Sequence, residues 1–188
     1  MGVLMRKVFL WLLLQSLVIE SVNAKTSTES KSRNVAVDSI VLHSIGGPYC
    51  KNAAVKYSAA NGDGDRWIAF FARHRVLGIH YVVDRFGRVY AGISENKIAN
   101  HTLGWNPFSI GIELVNNGDG VELYPKVQTD ALIELTKGIM SRHRAISKHN
   151  IVRHSDVDHS EFSCGGVSYK RKTDPGQLFD FEYFLDKI

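Results

Sequence analysis

The stretch from His80 to Ala91, HYVVDRFGRVYA, restricts the fold more than any other part of the chain. Two apolar runs, His80 to Val83 and Arg88 to Ala91, flank Asp84-Arg85-Phe86-Gly87. Strand, glycine-bearing turn, strand is a hairpin signal, and a hairpin needs further strands to bury its apolar face. The sequence offers them. Ser39 to Ser44 (SIVLHS) is a short apolar run cut off by Gly46-Gly47-Pro48 and reads as a buried strand. Ser109 to Val115 (SIGIELV) has the same character, and Asn150 to Arg153 is a short strand leading into His154. Helical segments lie between them. Trp67 to Arg75 reads as one, and Thr129 to Arg144 spaces Leu132, Leu135, Ile139 and Met140 at helical intervals behind a cap at Gln128 to Asp130. Asp180 to Leu185 reads as a short closing helix, while residues 50–66 are small and polar and 155–173 are polar and irregular. The expected fold class is therefore α/β (α+β): a single domain with a central mixed β-sheet flanked by helices.

The first residues read differently. Met1 to Lys7 carries Arg6 and Lys7, Val8 to Ile19 is almost wholly apolar, and Ser21-Val22-Asn23-Ala24 ends on small residues. That is the pattern of a cleaved signal peptide over 1–24, with an uncleaved anchor or a buried N-terminal helix as the alternatives. The apolar run is too short for a membrane-spanning helix, so no stable span is expected after cleavage. The reading is an exported chain, periplasmic or secreted, with a flexible polar lead-in at 25–37 and one domain at 38–188. The net charge of +4 suits an anionic polymer without singling one out. No Lys/Arg block interleaved with aromatics is present, which excludes nucleic acid as the expected partner. A monomer is expected.

Three residues stand out as carriers of chemistry: His43 at the end of the first strand, His154 after a short strand, and Asp174 in Lys172-Thr173-Asp174-Pro175-Gly176. Two imidazoles and a carboxylate form a ligand set for Zn2+ with one open tetrahedral position. Taken singly each is weak, because a histidine in a strand more often packs or hydrogen-bonds, and Asp156, Asp158 and His159 are rival ligands. Glu113 interrupts the apolar run SIGIELV. Strand alternation allows it a solvent face, but beside a metal it could exchange protons with water and a leaving amine. The only two cysteines, Cys50 and Cys164, allow one pairing. A disulfide is the favoured reading over two unrelated thiols, since each lies close in sequence to a candidate ligand.

The segments IVLHSIGGP, GIHYVVDRFGRVY, ANHTLGWNPFSIGIELVN, IVRHSDVD and RKTDPGQLFDF resemble, in the family's order, those of the type 2 N-acetylmuramoyl-L-alanine amidases. This family shares its fold with the peptidoglycan recognition proteins. The match spans about residues 38 to 182. The resemblance implies one zinc ion held by His43, His154 and Asp174, with Glu113 as catalytic acid/base and Lys172 stabilising an oxyanion. It implies a substrate groove at His101, with Trp105 and Asn106 beside it, and His80 in a structural role. The implied reaction is hydrolysis of the amide between N-acetylmuramic acid and L-alanine in peptidoglycan or muropeptides. A non-catalytic peptidoglycan-binding module and an antibacterial cell-wall effector are the alternatives. Two departures matter. Ser44 follows the first ligand where many relatives carry His or Asn, and the gap between His154 and Asp174 is longer than in compact relatives, which suggests a lid or rim for the groove.

Overall fold

A computed structural model describes residues 19–21 and 30–188; most of the expected signal peptide and the first part of the lead-in lie outside them. Six strands make the main sheet: β1 (Ile19–Ser21), β2 (Ser39–Ser44), β5 (Tyr81–Val83), β6 (Val89–Ala91), β7 (Ser109–Leu114) and β8 (Ile151–Arg153). Their order is β1-β6-β5-β7-β2-β8. Only β5 and β6 pair antiparallel; β1–β6, β5–β7, β7–β2 and β2–β8 are parallel. The sheet is mixed, with the expected hairpin in it. Asp84 makes that turn: its buried carboxylate accepts from the Phe86 and Arg88 backbone N–H groups and from Arg88 Nε. Gly87 adopts a φ of 76°, where L side chains are strained.

Alternation assigns the two faces of the sheet. Ile40, Leu42, Ile110, Ile112 and Leu114 point to one side and pack with Leu132, Leu135 and Ile139 of α2 (Lys126–Arg142) and Phe184 of α4 (Phe181–Lys187). Burying each such side chain stabilises the fold by roughly 1.5–3 kcal/mol. On the other side Ile68 of α1 (Gly64–Arg73) covers Ile79, Val82, Tyr90 and Val115. α1 covers only part of that face, and the remainder carries His43 and Glu113.

Both long helices start three residues before their expected positions. α1 begins at Gly64 because the glycine lies against the Tyr90 ring; an added Cβ there would meet Tyr90 Cε2 at 2.2 Å. The lead-in expected over 25–37 is, from Ser32 on, part of the fold. Ser32 bridges to Lys97, Val37 is buried, and the Arg33 guanidinium donates to the carbonyls of Glu95, Asn106, Pro107 and Ser109. A polar sequence concealed this, because one arginine supplies the contacts that apolar residues otherwise would.

Two further hairpins occupy segments expected to be irregular. β3 (Pro48–Lys51) pairs with β4 (Ala54–Tyr57), and β9 (Glu161–Cys164) with β10 (Val167–Lys170). Both turn over two residues of positive φ, Asn52-Ala53 and Gly165-Gly166, as the right-handed twist of hairpins favours. Their strands lack a buried face, so no apolar alternation marks them. Cys50 and Cys164 are joined in a disulfide.

Candidate metal centre

The ligand candidates come together at the C-terminal ends of adjacent parallel strands, where open α/β sheets commonly bind ligands. His43 is the fifth residue of β2; His154 follows β8 directly and opens the single turn α3 (His154–Val157). Asp174 arrives from the loop after β10, and its carbonyl accepts from the Ser155 N–H, which ties the third residue to the neighbour of the second. His43 Nδ1 lies 2.8 Å from His154 Nδ1. Asp174 Oδ2 lies 3.0 Å from His154 Nδ1 and 3.4 Å from His43 Nδ1. All three side chains are buried and offer one donor atom each within 4.8 Å of the others.

Electrostatics prepares this cluster for a cation. Burial pushes His43 down to about 4, against the opposing pull of Asp174. Burial alone would raise Asp174, but hydrogen bonds from His154 and His43 hold its carboxyl well below the usual carboxylate range. A neutral imidazole and an ionised carboxylate are the protonation states in which such groups bind metal. The donor set of two nitrogens and one oxygen fits Zn2+.

A second layer fixes the ligands. His43 Nε2 is 3.1 Å from His101 Nδ1 and 3.3 Å from Thr102 Oγ1. Asp158 Oδ2 stands 3.6 Å from His154 Nε2. It therefore backs a ligand and is not a rival for the metal, while Asp156 is taken up by Arg153. Tyr124 donates from its hydroxyl to the Pro175 carbonyl at 2.6 Å, next to Asp174. Such outer partners orient ligands and tune their basicity.

Glu113 pairs in register with His43 across parallel strands, so both side chains leave the same face of the sheet. Its Oε2 is buried without a hydrogen-bond partner among the described residues. Burial, reinforced by Asp174, pushes this carboxyl up to about 8, and Lys172 acts in the opposite direction. Lys172 is half-buried and its charge is felt at His43, Glu113 and Asp158.

The three groove candidates separate. His101 lies on the sheet beside His43, with its ring over Gly111; a Cβ at Gly111 would meet His101 Cγ at 2.6 Å. Asn106 is spent inside its own loop: Oδ1 accepts from the His101 and Thr102 N–H groups and Nδ2 donates to Asn100. It holds the His101 backbone in place from within its own loop. Trp105 is half-buried against Phe108. His80 is fully buried, accepts from the Gly111 N–H and is held down to about 3 by burial and by Arg33. Tyr124 carried no motif signal, and Thr102, though inside the ANHTLGW segment, was not singled out there.

Two buried imidazoles, a buried carboxylate and a second carboxyl beside them, on one face of a mixed sheet, form a centre of the kind that holds a divalent metal. Comparison with known proteins narrows this. The model of the N-acetylmuramoyl-L-alanine amidase family matches residues 33–177. The 1,6-anhydro-N-acetylmuramyl-L-alanine amidase AmpD of Haemophilus influenzae is 34% identical over 120 residues, covering 60% of this chain and 59% of that protein. The chain thus spans less than two thirds of that relative's length. Among solved structures, a selenomethionine derivative of AmpD superposes with a TM-score of 0.66 at 23% identity, covering 90% of this chain and 94% of the other. The Escherichia coli amidase AmiD, in complex with anhydro-N-acetylmuramic acid-L-Ala-D-gamma-Glu-L-Lys, superposes with a TM-score of 0.60 at 24% identity, covering 84% and 60%. The chain belongs to the N-acetylmuramoyl-L-alanine amidase family.

Proposed function

We propose that this protein is an exported zinc-dependent amidase that hydrolyses the bond between N-acetylmuramic acid and L-alanine in peptidoglycan or its fragments. The observation that carries the reading is the convergence of His43, His154 and Asp174 beside a buried carboxyl, in a chain of this family. AmpD and AmiD are named for this bond, and AmiD is described with such a substrate. The Cys50–Cys164 disulfide supports export, because structural disulfides persist in oxidising compartments.

His43, His154 and Asp174 would hold the ion. Bound there, zinc supplies Lewis acidity and makes a water acidic near neutrality. Glu113 takes a proton from the attacking water and delivers it to the departing L-alanine nitrogen; a carboxyl held up to about 8 can both accept and return a proton near neutral pH. Lys172 sets a positive charge where the amide oxygen becomes anionic. His101 and Thr102 keep His43 turned towards its partners.

The test is digestion of purified peptidoglycan with and without a chelator, followed by mass analysis of the products. Free stem peptides with an L-alanine N-terminus, lost on metal removal and restored by Zn2+, are expected. Products cleaved at another bond, or full activity after verified metal removal, would overturn the reading.

A further inference from the structure

The two small hairpins are the part of the molecule that the proposed chemistry leaves unused. Neither β3–β4 nor β9–β10 pairs with the main sheet. Almost all their residues are open to solvent, with Cys164 the buried exception. A two-stranded hairpin without a core is marginal in water, so burial does not hold these. They are tied at their tips. The disulfide brings the Cys50 and Cys164 Cα atoms to 5.3 Å, and the turns touch, since a Cβ on Gly165 would lie 2.7 Å from the Ala53 carbonyl oxygen.

β3 leaves the main sheet just after His43, and β10 runs through Arg171 into Lys172 and Asp174. The pair forms a strap with one foot beside the first metal ligand and the other beside the third. Register shows which sides face each other. Tyr57 shares a face with Cys50, and Phe162 and Tyr169 share one with Cys164, because alternate strand residues point the same way. The disulfide therefore turns these aromatic faces towards a common gap. They do not bury one another: Tyr57 remains 38% exposed, Tyr169 39% and Val167 54%. Charge on the strap is one-sided. Lys51, Lys56, Lys170, Arg171 and Lys172 face a single acid, Glu161, and that carboxylate already accepts from Ser168.

We propose that this strap is a second binding element for polymeric peptidoglycan, taking sugar rings on Tyr57 and Tyr169 and stem-peptide carboxylates on Arg171, whose guanidinium lies over the Phe162 ring. The assignment rests on the function proposed above. Exposed apolar area rimmed by charge marks an interaction surface, aromatic rings offer apolar faces with a polar tip, and a cationic surface draws an anionic polymer. A soluble muropeptide occupies the metal centre alone, whereas a polymer reaches the strap as well.

The experiment is cosedimentation of the full chain with purified insoluble peptidoglycan, in a Glu113→Gln background so that binding is read without turnover. Two variants are compared with that parent: Tyr57→Ala/Tyr169→Ala/Arg171→Ala, which keeps the disulfide, and Cys50→Ser/Cys164→Ser. Both are expected to bind the polymer at least about tenfold more weakly, with zinc content and thermal unfolding of the triple variant unchanged. Parent-like binding by the triple variant overturns the proposal. The two readings fail separately. If unsubstituted protein releases stem peptides while the triple variant binds normally, the strap is wrong and the amidase stands. If strap variants lose binding but no stem peptide is released by unsubstituted protein, the reverse holds.

Discussion

At the scale of single residues, the active carboxyl and its neighbouring lysine make an assertion about pH. Lys172 draws the Glu113 carboxyl down, against burial and Asp174. Removing that cation should move the acid limb of the kcat/KM–pH profile to higher pH, because Glu113 then stays protonated further up the scale; Lys172→Met kinetics read this directly. Glu113→Gln should cost about a hundred- to ten-thousand-fold in kcat while zinc content is kept. Gly111→Ala tests the second layer. The new Cβ enters the His101 ring, so His43 loses a partner, and zinc affinity should fall roughly 10- to 100-fold by chelator competition. Asp174 and Glu113 stood out in the sequence because KTDPG and SIGIEL are specific strings. Thr102 and Tyr124 did not, since a hydroxyl that bonds across long sequence distances has no local pattern.

Elements are held together by polar clasps as well as by apolar packing. Glu95 accepts from Tyr81 of β5 and from Arg142 and His143 at the end of α2. Burial would raise its carboxyl, but these hydrogen bonds outweigh it and bring Glu95 down to about 2. Because the folded value is depressed from 4.5, the stabilisation is complete above that pH and is lost as pH falls from 4.5 towards 2. Glu95→Gln should therefore lower the unfolding free energy by about 1–3 kcal/mol near neutrality. In denaturant titrations that difference should shrink as the pH approaches about 3. Gln128 of α2 works similarly: its buried Nε2 donates to the Val83 and Val115 carbonyls, where β5 and β7 end. Gln128→Leu should destabilise by about 1–3 kcal/mol by removing both of these donations, although the Val83 carbonyl keeps the Val115 N–H as a partner. Of the main-sheet strands, β2, β5, β6, β7 and β8 were readable because burial writes period-two or fully apolar runs, whereas β1 falls in the stretch read as a signal peptide. The β3–β4 and β9–β10 strands bury almost nothing, so their segments looked irregular.

For the molecule as a whole, the disulfide closes a long loop, joining cysteines 114 positions apart. Reduction should lower the unfolding free energy by about 2–4 kcal/mol, visible as a lower Tm in reductant at matched protein concentration. Fold class followed from the order of runs, because a hairpin among apolar strands and amphipathic helices leaves few ways to form one core. The strap was not predictable, because two cysteines allow a pairing but do not say which surfaces it aligns. The positions of the three ligands, 43, 154 and 174, carry one more consequence, for biogenesis. His43 and His154 are 111 positions apart, so the donor set closes only when β2 and β8 lie side by side. Any ion that the three residues hold is therefore taken up by the folded chain and not by an unfolded one.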